Sequence, residues 1–252
     1  MVWVHIGAST SVTISSKLLM SSGEEEMRGE SFYVIPDTYS WVCPAGVTSV
    51  SVVCIGGGGG SSGTVSGGGG LGYINDYAVT PGNSYTVRVG EKGRSGWMAS
   101  ADNGGDSYFN NQSTCKGGGG IANGAGGTYA GDGGGNGSAG SGSGGGGAGG
   151  YSGDGNSGTG GAGADGTLSP RMGGGGVGAH GEGSSGTPNT GQGGSGGQEG
   201  YTSLGSNQSS ADGGLFGGGA SDRWATQGAG GCVRIIWPGD TRQFPSTDAD
   251  TP

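Results

Sequence analysis

The chain has 252 residues, of which 72 are glycine, whereas Leu, Ile, Val and Phe together number only 33. Large apolar side chains at this frequency fall below the ~20% that a chain normally needs to bury a hydrophobic core along its whole length. The formal net charge of −9 argues against binding to nucleic acid, whose phosphates it would repel. No apolar run approaches the ~18 residues of a membrane-spanning helix. We therefore expect no nucleic-acid partner and no membrane insertion.

Residues 1–30 contain two segments, 2–6 and 11–15, in which apolar and polar residues alternate as they do in a pair of β-strands. The N-terminus lacks the basic region and the continuous apolar region of a secretory signal peptide, so we expect no export by that route. These alternating segments have no evident place among the strands that follow. We predict that residues 1–30 form an attachment segment outside the main core.

Short segments with strand character follow, separated by turn residues. They are residues 32–42 with a turn at Pro36-Asp37, 48–55, 72–80, 84–90, 107–116 and 232–237. Seven or so such strands are typical of an antiparallel β-sandwich. We predict this sandwich from residues 31–116 and 232–238, followed by a polar tail at 239–252. Tyr108-Phe109 and Trp237 lie on these strands and are expected in the core.

Glycine dominates the segment before the last strand. From Lys116 to Gly231, 50 of 116 residues are glycine and only six are Leu, Ile, Val or Phe. With no side chains to bury, an ordered glycine strand must satisfy its N–H and C=O groups on neighbouring strands. Left-handed polyglycine-II strands, with three residues per turn, would do so. The predicted fold class is all-β: a small antiparallel β-sandwich with an inserted glycine-rich bundle of polyglycine-II strands at residues 117–231.

Side chains that carry catalysis or bind metals are sparse. The four cysteines, at positions 43, 54, 115 and 232, form no CxxC pair, and His5 and His180 are the only histidines. We therefore expect no metal site. The thiols are expected to be buried and free, with disulfide pairing as the alternative in an oxidising compartment. His180 has no obvious orienting acid and the sequence has no phosphate-binding loop, so we expect no cofactor and no enzymatic activity.

Four pieces of the sequence occur in an order that is found in a known group of proteins. They are YSWVCPAGVTSVSVVCIGGGGG (39–60), PGNSYTVRVG (81–90), NGGDSYFNNQSTCKGGGG (103–120) and GGCVRIIW (230–237). An aromatic strand, a P-A-G-V turn, an apolar strand running into glycines, a hairpin and a closing G-x-V-R-I strand recur in glycine-rich domains of phage tail fibres. Over residues 32–248, the chain resembles the tail-fibre and tail-tip adhesin proteins of marine phages.

The resemblance implies a non-enzymatic virion protein, located on a tail fibre or similar appendage and extracellular after lysis of the host. In tail-tip adhesins, loops between polyglycine-II strands contact the receptor, so a host cell-surface glycan or outer-membrane protein is the expected partner. Residues 1–30 are then expected to dock onto another virion protein, and a homo-oligomer such as a trimer is also expected. A purely structural fibre or decoration protein without receptor contact is the alternative.

Clusters of other residues interrupt the glycine-rich region, and these clusters are the candidate receptor-binding loops. Their side chains could anchor a receptor. They could also cap the glycine strands or pack against the sandwich, and the sequence leaves both roles open. The candidate residues are Tyr129, Tyr151, Leu168, Arg171, Met172, His180, Asn189, Tyr201, Leu204, Phe216, Arg223 and Trp224.

Overall fold

The computed structural model shows an all-β protein. The residues that it describes are 27–95, 100–167, 171–200, 211–222 and 226–246. These ranges contain ten strands and no helix, and so no helix that could cross a membrane. The two strands predicted at 2–6 and 11–15 lie outside the described residues, as does most of the attachment segment.

The ten strands form two five-stranded sheets. They are β1 (Gly29–Tyr33), β2 (Thr38–Val42), β3 (Ser49–Ile55), β4 (Leu71–Ala78), β5 (Ser84–Arg88), β6 (Ser107–Phe109), β7 (Cys115–Gly117), β8 (Tyr129–Ala130), β9 (Gly133–Gly135) and β10 (Cys232–Trp237). Sheet A has the strand order β1-β10-β3-β4-β9, and sheet B has the order β2-β5-β6-β7-β8. Every pairing within the two sheets is antiparallel. The predicted all-β, two-sheet architecture is therefore confirmed.

Turn residues of the sequence set the strand boundaries. The predicted strand at 32–42 is divided at Pro36-Asp37 into β1 and β2, and the segment 107–116 is divided into β6 and β7. Between β4 and β5, Gly82 has a φ of +82°, which lies in the left-handed region that favours glycine. The last strand spans the predicted residues 232–237.

The first core lies between the two sheets. Trp41 of β2 lies at its centre, with ring centroids 6.2 Å from Phe109 and 5.9 Å from Trp237. Phe109 and Trp237 are buried, as the sequence predicted, whereas Tyr108 is half-buried. All four cysteines are buried free thiols, which confirms the expectation for them.

A second core covers the outer face of sheet A. Val53 and Ile236 pack there with Tyr151 and Val177 of the glycine-rich region and with Phe244 of the tail. Because strands β3 and β10 are buried on both faces, their sequences end in continuous apolar runs and do not alternate strictly. The tail, predicted only as a polar extension, thus contributes to the core.

Arg234 carries a buried charge on β10. Its Nη2 and Nε atoms lie 2.7 and 3.1 Å from Oε2 of Glu30 on β1, and its Nη1 donates to the carbonyl oxygen of Ala179 at 3.3 Å. One guanidinium therefore joins β1, β10 and the glycine-rich region.

Segment 56–61, which continues β3, shows how the glycine segments pair with one another. The N–H groups of this segment donate to three neighbouring segments, 66–70, 102–105 and 226–229. Successive N–H groups donate to these neighbours in rotation, so residues three apart donate to the same neighbour. For Gly56 to Ser61, the acceptors are in order the carbonyls of Gly70, Gly105, Ala229, Gly67, Asp102 and Thr226, at 2.9–3.2 Å. The backbone is thus satisfied by other backbone, without side chains.

The segments approach one another too closely for side chains between them. A Cβ placed on Gly59 would lie 2.6 Å from the carbonyl oxygen of Ile121, whereas an ordinary Cβ contact is 3.4–4 Å. A Cβ on Gly58 would overlap the carbonyl group of Gly218. Glycine is therefore required at these two positions by space.

The sandwich and the glycine bundle are interwoven and do not follow the predicted boundaries. Strands β8 and β9 fall inside the range 117–231, yet they complete sheets B and A. Conversely, segments 56–61 and 66–70 fall inside the range predicted for the sandwich and pair as glycine segments. Strand β1 begins at Gly29 and pairs with β10, so residues 29 and 30 belong to the sandwich and not to an attachment segment.

Candidate functional site

Polar side chains organise the turns in which glycine segments reverse direction far from the sheets. The segment that leaves β3 reverses after Gly60. Ser61 Oγ donates to the carbonyl of Thr64 at 2.7 Å and accepts from the N–H of Gly63 at 3.1 Å. Ser66 Oγ donates to the carbonyl of Gly60 at 2.6 Å. Such local bonds from side chain to backbone favour turns, so this reversal is fixed without a hydrophobic core.

A second turn is bonded to the first. Asn123, with a φ of +54°, donates from Nδ2 to Oγ of Ser62 at 2.8 Å and accepts the N–H of Ser62 on Oδ1 at 3.2 Å. Oδ1 of Asn103 accepts the N–H of Ala122 at 2.8 Å. Beside these amides, Ile121 is 42% exposed. The two turns therefore form one connected surface with an apolar side chain at its edge.

An asparagine pair links three further turns. Oδ1 of Asn189 accepts from Ser141 Oγ at 2.9 Å and from Asn156 Nδ2 at 3.3 Å. Oδ1 of Asn156 accepts the backbone N–H of Asn189 at 2.8 Å and that of Asp165 at 3.0 Å. Both asparagines have left-handed φ values, 62° and 59°, which Asn tolerates better than most residues with a Cβ.

These two groups of turns lie at the same end of the bundle. The N–H of Gly146 donates to the carbonyl of Ser66 at 2.9 Å, and the N–H of Gly68 donates to that of Ser138 at 2.9 Å. Asp222 lies at this end too, because its N–H donates to the carbonyl of Ser143 at 3.3 Å. We call this end the distal surface. It is formed by residues 61–66, 121–125, 138–144 and 187–191, together with Asn103 and Asn156.

Asp165 is a buried carboxylate beneath the distal surface. It is 3% exposed, and Oδ1 accepts from Ser138 Oγ and from the N–H of Gly147, the latter at 2.9 Å. Burial raises the pKa of Asp165 above its ordinary value of 3.8, and the bonds from Ser138 and Gly147 offset part of this effect. The fold therefore favours the neutral carboxylic acid more than water does.

Three of the sequence-predicted site residues lie at the distal end. Nε of Arg171 is 3.2 Å from Oδ1 of Asp222, and the arginine side chain is 45% exposed. Met172 is half-buried against Gly191. Asn189 is exposed within the asparagine pair. The structure therefore brings these three residues to one end of the molecule.

Tyr151 lies at the opposite end, against sheet A. It is fully buried, and its ring centroid lies 6.1 Å from that of Tyr73 and 5.8 Å from that of Phe244. Its hydroxyl donates to the carbonyl of Gly178 at 3.2 Å and accepts the N–H of Gly181 at 3.0 Å. Tyr151 therefore packs against the sandwich, which is the second of the roles that the sequence left open.

Three more candidates lie beside the strands. Phe216 and His180 both pack edge-on against Phe32 of β1, with centroid distances of 6.1 and 5.8 Å. Tyr129 lies on β8, where it is 38% exposed. These three residues are widely separated in the sequence. The structure places their side chains at the sheets and not at the distal surface.

The remaining candidates are outside the described residues; they are Leu168, Tyr201, Leu204, Arg223 and Trp224. Asn123 and Asn156, which fix the distal turns, are not among the residues predicted from the sequence. The Asn-Gly dipeptide at Asn123-Gly124 is a turn signal that could have revealed the first of them.

Neutral hydrogen-bonding groups dominate the chemistry of the distal surface. Its amides and hydroxyls can exchange hydrogen bonds with a polar ligand, and Ile121 adds apolar contact. Within the part of the chain that the structure describes, no three His, Cys, Asp or Glu side chains come together to hold a metal ion. The surface is therefore suited to recognition by hydrogen bonds and contact area.

A family model described as a glycine-rich domain matches residues 34–238. The chain belongs to this glycine-rich domain family. The matched range contains strands β2 to β10 and the glycine segments between them, so the glycine-rich domain comprises sandwich and bundle together. No curated protein matches the chain at a significant level. The family description refers to composition and names neither a virion nor a receptor.

Proposed function

We propose that this glycine-rich domain protein belongs to a phage tail fibre or similar appendage, where it acts as a receptor-binding adhesin through its distal surface. It would be part of the virion and extracellular after lysis. One observation carries the proposal: the distal turns are bonded to one another, as Asn123 is to Ser62 and Asn189 to Asn156. A surface fixed in this way loses little conformational entropy on binding. The four sequence pieces shared with tail-fibre proteins supply the biological setting.

The proposal includes polyglycine-II geometry for the glycine segments. Segment 56–61 donates to three neighbours in rotation, and this rotation has the three-residue period of such a helix. Interior residues are then expected near φ ~−75° and ψ ~+145°. Backbone scalar couplings and chemical shifts from NMR would test this expectation, and values typical of pleated strands throughout segment 56–61 would contradict it.

The expected partner is a host cell-surface glycan or outer-membrane protein. Neutral amides and hydroxyls match the hydroxyl groups of a sugar and the polar groups of a protein loop, whereas the net charge of −9 opposes anionic ligands. Arg171, Asn189 and Ile121 are the described residues best placed to contact such a partner, because all three are exposed at the distal end.

An adsorption assay tests the adhesin. Purified protein should bind susceptible host cells and compete with the phage for adsorption. Alanine replacement of Arg171, Asn189 and Ile121 together should weaken binding at least about tenfold, since a few contact residues carry most of a binding free energy. Alanine replacement of Tyr129 and Leu215, which are exposed elsewhere, is the matched control and should leave binding unchanged. Equal binding by the two variants would contradict the assignment of the distal surface.

The alternative is a purely structural virion protein without receptor contact. It is favoured by one observation: Tyr151 and Phe216, two of the aromatic candidates, pack against the sandwich and are not collected at the distal end. Immunogold labelling of intact particles distinguishes the two functions. Label confined to the tail tip supports the adhesin, and label along the fibre shaft or on the capsid supports the structural component.

Attachment to the virion is assigned to the segment before β1. The docking segment was predicted at residues 1–30, but β1 begins at Gly29 and Met27 packs against the core between the sheets. We therefore propose that the part before Met27, residues 1–26, docks onto another virion protein, and that the docked form is a homo-oligomer such as a trimer. Deleting residues 1–26 should release the protein from particles while the sandwich still folds. Light scattering after size-exclusion chromatography gives the oligomeric state. Loss of folding on deletion would show that these residues belong to the core.

A further inference from the structure

Cys54 and Cys115 face each other inside the sandwich. Cys54 lies on β3 of sheet A and Cys115 on β7 of sheet B, 61 residues apart in the chain. Their Sγ atoms are 3.5 Å apart, and both side chains are fully buried. A disulfide has an S–S distance of ~2.05 Å, so the two sulfur atoms need to approach by a further ~1.5 Å to form one.

The other two cysteines have different surroundings. Sγ of Cys43 donates to the carbonyl of Val47 at 3.3 Å, near the turn before β3. Cys232 packs on the outer face of sheet A with Tyr151, whereas Cys54 and Cys115 lie in the core between the sheets. Geometry therefore favours the pair Cys54–Cys115.

We propose that Cys54 and Cys115 are a cross-linking site, which closes as an inter-sheet disulfide when the protein folds in the presence of a low-molecular-weight disulfide. One cysteine thiolate attacks the small disulfide RSSR, forms a mixed disulfide and releases one RS⁻. The second cysteine thiolate then attacks the cysteine sulfur of the mixed disulfide and releases the second RS⁻. Two electrons pass from the cysteine sulfurs to RSSR, and the two thiol protons end on two RSH molecules. This inference does not depend on the proposed function.

The same burial determines when the bond can form. Removal from water, with a smaller contribution from the adjacent Cys115, raises the pKa of the Cys54 thiol well above its ordinary value. Since the thiolate is the attacking species and the small disulfide must reach it, exchange in the closed sandwich is slow. The cross-link therefore closes while the chain folds, and afterwards it ties one sheet to the other.

Refolding the full chain in two buffers tests the site. One buffer contains reduced and oxidised glutathione, and the other contains dithiothreitol. After oxidative refolding, thiol titration in denaturant should find two of the four cysteines, and peptide mapping should join Cys54 to Cys115. The midpoint of thermal unfolding should rise by about 10 °C relative to the reduced protein, because the bond restricts a long loop of the unfolded chain.

Two double variants complete the test. Cys43→Ala/Cys232→Ala should keep the oxidation-dependent shift, whereas Cys54→Ala/Cys115→Ala should lose it. If the second variant does not fold, the peptide map of the unaltered protein decides alone. The proposal is overturned if oxidatively refolded protein keeps four free thiols, if the map links Cys43 or Cys232, or if the cross-linked protein is no more stable than the reduced one.

Discussion

Alanine substitution at two glycines of one segment distinguishes two reasons for which glycine could be required, close packing and backbone conformational freedom. Gly228 and Gly230 lie two residues apart in the segment that leads into β10, and neither has a left-handed φ. A Cβ on Gly228 would overlap the carbonyl group of Gly58 and lie 2.8 Å from the carbonyl oxygen of Gly59, whereas a Cβ on Gly230 would have no atom within 4 Å. The two substitutions add the same methyl group, one against neighbouring backbone atoms and the other in open space.

The expected difference follows from these surroundings. In both variants, alanine restricts the unfolded chain and adds about 0.4–1 kcal/mol to the free energy of unfolding. For Gly228→Ala, the neighbouring carbonyl of Gly58 must move by roughly 1 Å, and such overpacking costs about 1–3 kcal/mol. The movement also strains the bond that this carbonyl accepts from the N–H of Gly93, and an unmade buried bond costs about 1–3 kcal/mol.

Gly228→Ala should therefore be less stable than Gly230→Ala by about 3 kcal/mol, or about 10 °C in the midpoint of thermal unfolding. Urea titration and differential scanning calorimetry on both variants measure this difference, with the unaltered protein as reference. Equal stability of the two variants, within about 0.5 kcal/mol, would refute the reasoning that glycine is required here by space.

Three further predictions concern other parts of the molecule. Gly146→Val should destabilise the fold by at least about 2 kcal/mol, because the valine side chain would meet the backbone of two neighbouring segments. Thr187→Val, on an exposed turn, is the control and should change stability by less than about 0.5 kcal/mol. Urea unfolding measures both variants. Burial raises the pKa of Asp165 in the folded protein, so the contribution of Asp165 to stability is complete below its ordinary pKa of 3.8 and is lost as the pH rises through its folded-state pKa. The stability advantage of the unaltered protein over Asp165→Asn should therefore shrink from acid to neutral pH, as measured by urea titrations at each pH. Glu30→Ala should cost about 3 kcal/mol in calorimetry, since it leaves the buried guanidinium of Arg234 without its carboxylate.

Much of the sandwich is predictable because its strands carry their own signals. β3 and β10 are rich in β-branched residues, and β4 and β5 flank a turn that contains Pro and Gly. β8 and β9 could not be predicted in the same way. β9 consists of three glycines, Gly133–Gly135, and glycine has no preference for strands. These residues form a strand only because β4 lies beside them, and that pairing is set by the fold and not by local sequence.

The candidate site was less predictable than the fold for a related reason. The role of Tyr151 is decided by Tyr73 and Phe244, which lie far away in the chain on either side. Local sequence does not contain that information. The distal turns, by contrast, are built from asparagines and serines that bond within a few residues or to the next turn, and asparagine in glycine-rich turns has a known preference for left-handed conformations.

The stability of the glycine bundle must depend on the sandwich. Ordering one residue of backbone costs about 1–2 kcal/mol, and one backbone hydrogen bond returns about 0.5–1.5 kcal/mol, so a glycine segment alone would remain disordered. In the structure, segment 56–61 continues β3 and segment 66–70 leads into β4, so the paired strands already fix one end of each. Buried alanines such as Ala148 and Ala220 add apolar contacts where the packing leaves room. Bundle and sandwich should therefore unfold together, and the order of the distal turns originates in the core between the two sheets.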